Sequence, residues 1–238
     1  KIISTSQNFA KWLEELPANY CTPSLFCELA QKRLSAASSK VTVEIHDEKW
    51  ARDLNMNSYL SVSSGSDEPP RVLELKFLNN PKKTNGEIDL AFVGKGVCFD
   101  SGGVSIKPGP DMKLMKADMG GAATVVATVL ALAELDLPLN VVAVTMMVEN
   151  MINGKATRPG DVITASNGKT IEIDNTDAEG RLALADGLVY VSKQYKPEYL
   201  IDMATLTGAI GIAIGSTAAG CFTNSNSAWK LLESSGYE

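Results

Sequence analysis

The feature that most restricts the fold lies between residues 89 and 148. Two almost continuous apolar runs, "DLAFVG" (89–94) and "NVVAVTMMV" (140–148), bracket the small-residue stretch "GGAATVVATVLALAEL" (120–135). A strand apolar on both faces needs cover on both faces, and a glycine- and alanine-rich helix is suited to lying close against it. The pattern then repeats: "KTIEID" (169–174) reads as a strand, "EGRLALADGLVYVSKQY" (179–195) as a helix and "EYLIDMATLTG" (198–208) as a strand, and "SAWKLLESSG" (227–236) starts a last helix. This alternation predicts an α/β fold with a central, largely parallel or mixed sheet flanked by helices.

Upstream the signals are more local. Phe9, Leu13 and Leu16 share one face of an amphipathic helix that Pro17 ends. Thr22 and Pro23 open a second helix as N-cap and first helical residue. "KVTVEI" (40–45) and "RVLELKFL" (71–78) alternate as strands, "HDEKWARDL" (46–54) reads as helix, "SVSSGSDEPP" (61–70) as a turn-rich loop and "NNPKKTNGE" (79–87) as a solvated turn. The expected division is a linker helix over 1–20 and an α/β domain over 21–238.

Composition narrows the function classes. A net charge of −6 without a basic stripe argues against nucleic acid as partner. No apolar run is expected to be long and charge-free enough to span a bilayer. The four cysteines, Cys21, Cys27, Cys98 and Cys221, form no CxxC pair, as expected of reduced, mostly buried thiols in the cytosol. His46 is the single histidine. It cannot furnish a His-rich zinc site, and no GxSxG elbow accompanies it, so a structural role is expected. Any catalysis then falls to carboxylates, lysine and arginine.

The charged residues in question are concentrated. "DNTDAEGRL" (174–182) places Asp174, Asp177 and Glu179 within six positions, followed by Arg181. Like charges so close raise one another's pKa, and a cation relieves the conflict. The stretch 94–121 adds Lys95, Asp100, Lys107 and Asp118. Its glycines match neither GxxxxGK[ST] nor GxGxxG, so a phosphate loop is the weaker reading. Asp100, Asp118, Asp177 and Glu179 are read as four carboxylates on loops at the carboxyl ends of strands, where ligands collect in such sheets. Hard oxygen ligands suit divalent cations, and two ions can share bridging carboxylates. A lysine amine held beside cations can also become a ligand.

"VGKGVCFDSGG" (93–103), "MKADMGGAA" (115–123) and "NTDAEGRL" (175–182) closely resemble the leucyl aminopeptidase (cytosol aminopeptidase) family of two-zinc exopeptidases. The likeness runs from about residue 8 to the chain end. It implies a tighter metal site of Lys95, Asp100, Asp118 and Glu179, and a more exchangeable one of Asp100, Asp177 and Glu179. The ions implied are zinc, with manganese or magnesium possible at the exchangeable site. The implied catalytic residues are Lys107 and Arg181. Ala178, Gly180 and Leu206 are implied as main-chain neighbours of a bicarbonate gripped by Arg181, and Met115, Thr205 and Gly208 as substrate-lining. Asp174 has no ligand role in the family pattern and is expected to shape the turn.

The resemblance further implies removal of the amino-terminal residue, preferably Leu or another apolar one, from peptides with a free amine. The nucleophile would be a metal-bridging water, with bicarbonate as proton shuttle. A cytoplasmic homohexamer is implied for the full-length protein. Relatives carry an additional amino-terminal domain and a longer catalytic domain, so the chain is expected to be truncated at its C-terminus. The alternative is a non-catalytic binding or regulatory member, or an inactive truncated one, which metal content and peptide hydrolysis would distinguish from an active enzyme.

Overall fold

A computed structural model describes residues 1–83 and 86–237. The chain separates into two units, Lys1–Thr205 and Leu206–Glu238. The turn expected over 79–87 includes residues 84 and 85, and the domain expected over 21–238 ends on residue 238; these three positions lie outside the described residues.

The first unit is built on a five-stranded mixed sheet: β1 (Val41–His46), β2 (Arg71–Leu78), β3 (Leu90–Asp100), β4 (Asn140–Asn150) and β7 (Tyr199–Met203), in the order β1-β2-β4-β3-β7. β1, β2 and β4 pair antiparallel, whereas β3 runs parallel to both β4 and β7. A separate antiparallel ribbon joins β5 (Val162–Thr164) to β6 (Thr170–Glu172). "KTIEI" therefore lies outside the main sheet, and its partner strand carried too short a pattern to be read from the sequence.

Period-2 alternation distributes the core. Val141, Ala143 and Met147 of β4 face one apolar layer, with α1 (Ile2–Glu15), α2 (Pro23–Ala37) and α5 (Gly120–Glu134). Val142, Val144, Met146 and Val148 face the other, with α3 (Glu48–Asp53), α4 (Asn57–Ser63) and α6 (Glu179–Tyr195). The local signals explain the helix starts: the Thr22 hydroxyl accepts from the Leu25 amide at 3.4 Å with Pro23 behind it, and Asp47 caps α3 through the Trp50 amide at 2.9 Å. α5 comes so near β3 that a Cβ at Gly94 would lie 2.8 Å from Ala122 Cα.

Three expectations need correction. Ser61–Ser63 belong to α4, not to a loop; Tyr59, Leu60 and Val62 are buried there, and packing outweighs the weak helix preference of the serines. β3 continues through Gly94-Lys95-Gly96 to Asp100 because it pairs with β4 on one side and, as far as Gly94, with β7 on the other. Residues 112–134, a 3₁₀ turn plus α5, are long and apolar enough by composition to cross a membrane, but 67% of the apolar window is buried, the position of a core helix.

The second unit contains α7 (Ala209–Ile214) and α8 (Asn226–Gly236). Ser225 caps α8 by accepting from the Ala228 amide at 3.3 Å.

His46 ends β1 and stacks on Trp50 at 4.0 Å between centroids. Its Nε2 lies 3.2 Å from Glu74 Oε2. Glu74 is 1% exposed and also meets Lys76 at 2.8 Å, Tyr190 Oη at 2.8 Å and the Tyr195 hydroxyl. Burial alone would raise the Glu74 carboxyl; His46, Lys76 and the two tyrosines overrule it and bring it down from 4.5 to about 2. Because the folded-state value is depressed, the stabilisation is present above pH 4.5 and is lost as pH falls toward 2. Denaturant unfolding at pH 6 and pH 3 should show wild type losing about 1–2 kcal/mol more than Glu74→Gln, after allowance for screening. Equal losses would show that this network does not favour the ionised carboxylate.

Candidate metal centre

The carboxyl ends of β3 and β4 meet the amino ends of α5 and α6. Asp100 is the last residue of β3, Asp118 closes the 3₁₀ turn Met112–Ala117, and Glu179 is the first residue of α6. Asp118 and Asp177 lie in turns, whereas Asp100 belongs to a strand and Glu179 to a helix, so the expectation that all four sit on loops is corrected for those two. After Asp100 the chain turns sharply through Gly102 (φ 88°), where a Cβ would lie 2.4 Å from Ser105 O and 3.0 Å from Asp177 Oδ1. A side chain there would collide with the turn that brings Lys107 back.

Two lysines organise the carboxylates. Lys95, 2% exposed, places Nζ 2.6 Å from Asp118 Oδ1 and 2.9 Å from Glu179 Oε1, and donates to Thr205 O at 2.9 Å. Thr205 Oγ1 donates to Asp118 Oδ1 at 2.8 Å. Lys107 Nζ lies 2.8 Å from Asp100 Oδ2 and 2.5 Å from Asp177 Oδ1. Two ammonium groups thus face four carboxylates, an excess of two negative charges when all are ionised.

The electrostatics follow from burial. Burial pushes the Asp118 carboxyl upward, Glu179 adds to the rise and Lys95 opposes it. Burial likewise raises Glu179, with Lys95 opposing and Asp100 adding repulsion. Burial works against the Lys107 ammonium, but hydrogen bonds and attraction from Asp100 and Asp177 carry its pKa above the ordinary lysine range.

The residues fit divalent cations. Single oxygens of Asp100, Asp177 and Glu179 all lie within 4.8 Å of one another. Asp118 Oδ2 and Glu179 Oε2 are buried with no hydrogen-bond partner, a costly condition that a cation would relieve. The oxygen-rich donor set, with one lysine nitrogen, suits magnesium, manganese or zinc. A second group, Glu44, His46 and Glu74, is equally compact. There, however, the Glu74 oxygens are satisfied by Lys76 and the two tyrosines.

The remaining predicted residues are more dispersed. Arg181 is exposed in the first turn of α6, with Ala178 as its N-cap and Gly180 between Glu179 and Arg181. Met115 lies in the 3₁₀ turn between Lys107 and Asp118. Leu206 and Gly208 belong to the second unit, where Gly208 caps α7. Asn175, rather than Asp174, shapes the turn: its Oδ1 accepts from the Asp177 amide at 2.8 Å, while Asp174 is exposed. Sequence reasoning passed over Asn150, whose Nδ2 donates to Asp100 Oδ1 at 2.8 Å and to Thr176 O at 3.0 Å. An asparagine closing an apolar strand was the available signal.

The family described as "cytosol aminopeptidase family, catalytic domain" matches residues 8–238. The cytosol aminopeptidase of Sus scrofa is 51% identical over 235 residues, covering 98% of this chain and 45% of that protein. That of Mus musculus is 50% identical with the same coverage. A probable cytosol aminopeptidase of Methylobacillus flagellatus is 46% identical over 238 residues, 100% of this chain and 47% of that protein. The chain spans about half the length of the curated relatives it matches.

If the centre holds cations, the folded chain should be stabilised by them. At free Zn²⁺ or Mn²⁺ a hundredfold above the dissociation constant, the gain should be about 2.7 kcal/mol. Thermal melts with metal and with chelator should separate for wild type and coincide for Asp100→Ala. An undiminished metal-induced shift in Asp100→Ala would contradict the assignment.

Proposed function

Since the chain belongs to the cytosol aminopeptidase family, we propose that it forms the core of a site that hydrolyses the first peptide bond of substrates with a free amino terminus, preferably after Leu or another apolar residue. The observation that carries this reading is the cluster of Lys95 and Lys107 with Asp100, Asp118, Asp177 and Glu179, of which all but Lys107 and Asp177 are buried. Lys95, Asp100, Asp118 and Glu179 would hold one divalent ion, and Asp100, Asp177 and Glu179 the other. When bound, such ions polarise a carbonyl and acidify a water.

The chain's own residues divide the remaining work. Hydrolysis adds a water oxygen to the carbonyl carbon, breaks the C–N bond and delivers a proton to the departing amine. Negative charge develops on the carbonyl oxygen, and the Lys107 ammonium, which retains its proton firmly, is suited to stabilise it. Arg181, exposed beside the cluster in sequence, can grip a planar anion such as bicarbonate in two-pronged fashion. With Ala178 and Gly180 contributing main chain, that anion would move the proton, since the only histidine is engaged with Glu74. Met115 and Thr205 would line the substrate, Met115 as an adaptable apolar wall. The names of the relatives support aminopeptidase activity and a cytosolic setting, and the homohexamer implied by the sequence resemblance completes the proposal.

The test compares Leu-Gly with N-acetyl-Leu-Gly on metal-loaded protein. Acetylation removes the amine's donor pair and adds bulk, so only the free peptide should be cleaved; equal rates would overturn the exopeptidase reading. Lys107→Ala should lower turnover by about 10²–10³ with both ions retained. Loss of metal in that variant would reassign Lys107 to the metal centre.

A further inference from the structure

Asn150 is the last residue of β4 and is 5% exposed. Its side chain and main chain tie the end of β4 to two segments that carry candidate ligands, one with Asp100 and one with Asp177. Nδ2 donates to Asp100 Oδ1 at 2.8 Å and to Thr176 O at 3.0 Å, immediately before Asp177. Its carbonyl accepts from the Ser101 amide at 2.9 Å and from Ser101 Oγ at 2.8 Å. We propose that Asn150 is a positioning residue that holds Asp100 and the Asp177 turn in the register a shared cation needs. This inference rests on the two-metal reading above.

The chemistry of the amide explains why this residue type serves. Both Nδ2 protons are used, each on an acceptor from a different segment. A carboxylate of the same shape would set an oxygen against two acceptors, and an apolar side chain would leave them short of a donor. Asp100 Oδ1 also accepts from the Gly102 amide at 2.9 Å. With that oxygen fixed twice, Oδ2 is directed at Lys107 Nζ, 2.8 Å away. Without Asn150 the Asp100 carboxylate gains freedom to rotate, and the turn bearing Asp177 loses its tie to β4. Partners that orient ligands in this way typically contribute 10–100-fold to metal affinity.

Zn²⁺ and Mn²⁺ titrations of ion-free chain, in competition with a chromophoric chelator, test the proposal with wild type, Asn150→Ala and the volume-conserving Asn150→Leu. Melting temperatures of the ion-free chains are recorded alongside. Wild type should bind two ions. In the variants the weaker ion should be lost 10–100-fold, the tighter one less, so that the two affinities spread apart. Unchanged binding of both ions overturns the proposal. So does an equal weakening of both accompanied by a lowered ion-free melting temperature, or failure of both variants to fold, because each identifies Asn150 as merely structural. A wild-type chain that binds fewer than two ions overturns the two-metal reading itself, and the proposal with it.

Discussion

The arrangement depends on one electrostatic constraint: four carboxylates share the ends of β3, β4, α5 and α6, and three of them are buried. Desolvation penalises their charge, and their proximity adds repulsion. Lys95 and Lys107 each bridge two of them. Two lysines against four acids do not complete the compensation, and the partnerless oxygens of Asp118 and Glu179 show where it falls short. A stable domain would not gain from such a cluster by itself. The sheet core and the helices packed on it must offset its cost, which is the usual signature of a site maintained for chemistry.

The contrast with Glu74 is instructive. That carboxylate is as deeply buried as Asp100, yet His46, Lys76, Tyr190 and Tyr195 surround it and hold it ionised well below the normal range. Its network fastens the C-terminal part of α6 to β1 and β2. At the other end of the same helix, Glu179 carries an upward shift and an unpaired oxygen. One helix therefore has a saturated carboxylate contact near its end and an unsaturated one at its start, and only the latter leaves an oxygen available for a cation.

Much of this was legible where periodicity was strong. α5, β4 and α6 follow from their apolar patterns, and the clustering of acids near Arg181 already raised the question of a cation. Other parts depended on tertiary context. Gly94 and Gly96 made the middle of β3 look like a loop; pairing with β4 and the close approach of α5 make it a strand. Serines disguised α4, whose buried Tyr59 is held by main-chain acceptors at Arg71 and Met147, 2.8 and 2.9 Å from its hydroxyl. Asn150 stood out neither by spacing nor by charge, because its importance lies in acceptors 50 and 26 residues away in sequence.

The most direct measurement of the central claim is anomalous diffraction from crystals of the chain grown with Zn²⁺ or Mn²⁺. The account predicts two peaks, one contacting Lys95, Asp118 and Glu179 and one contacting Asp177, with Asp100 and Glu179 touching both. The Lys95 nitrogen should then face a cation rather than the carboxylates of Asp118 and Glu179. A cluster without a peak at saturating metal, with Lys95 still paired to both carboxylates, would contradict it.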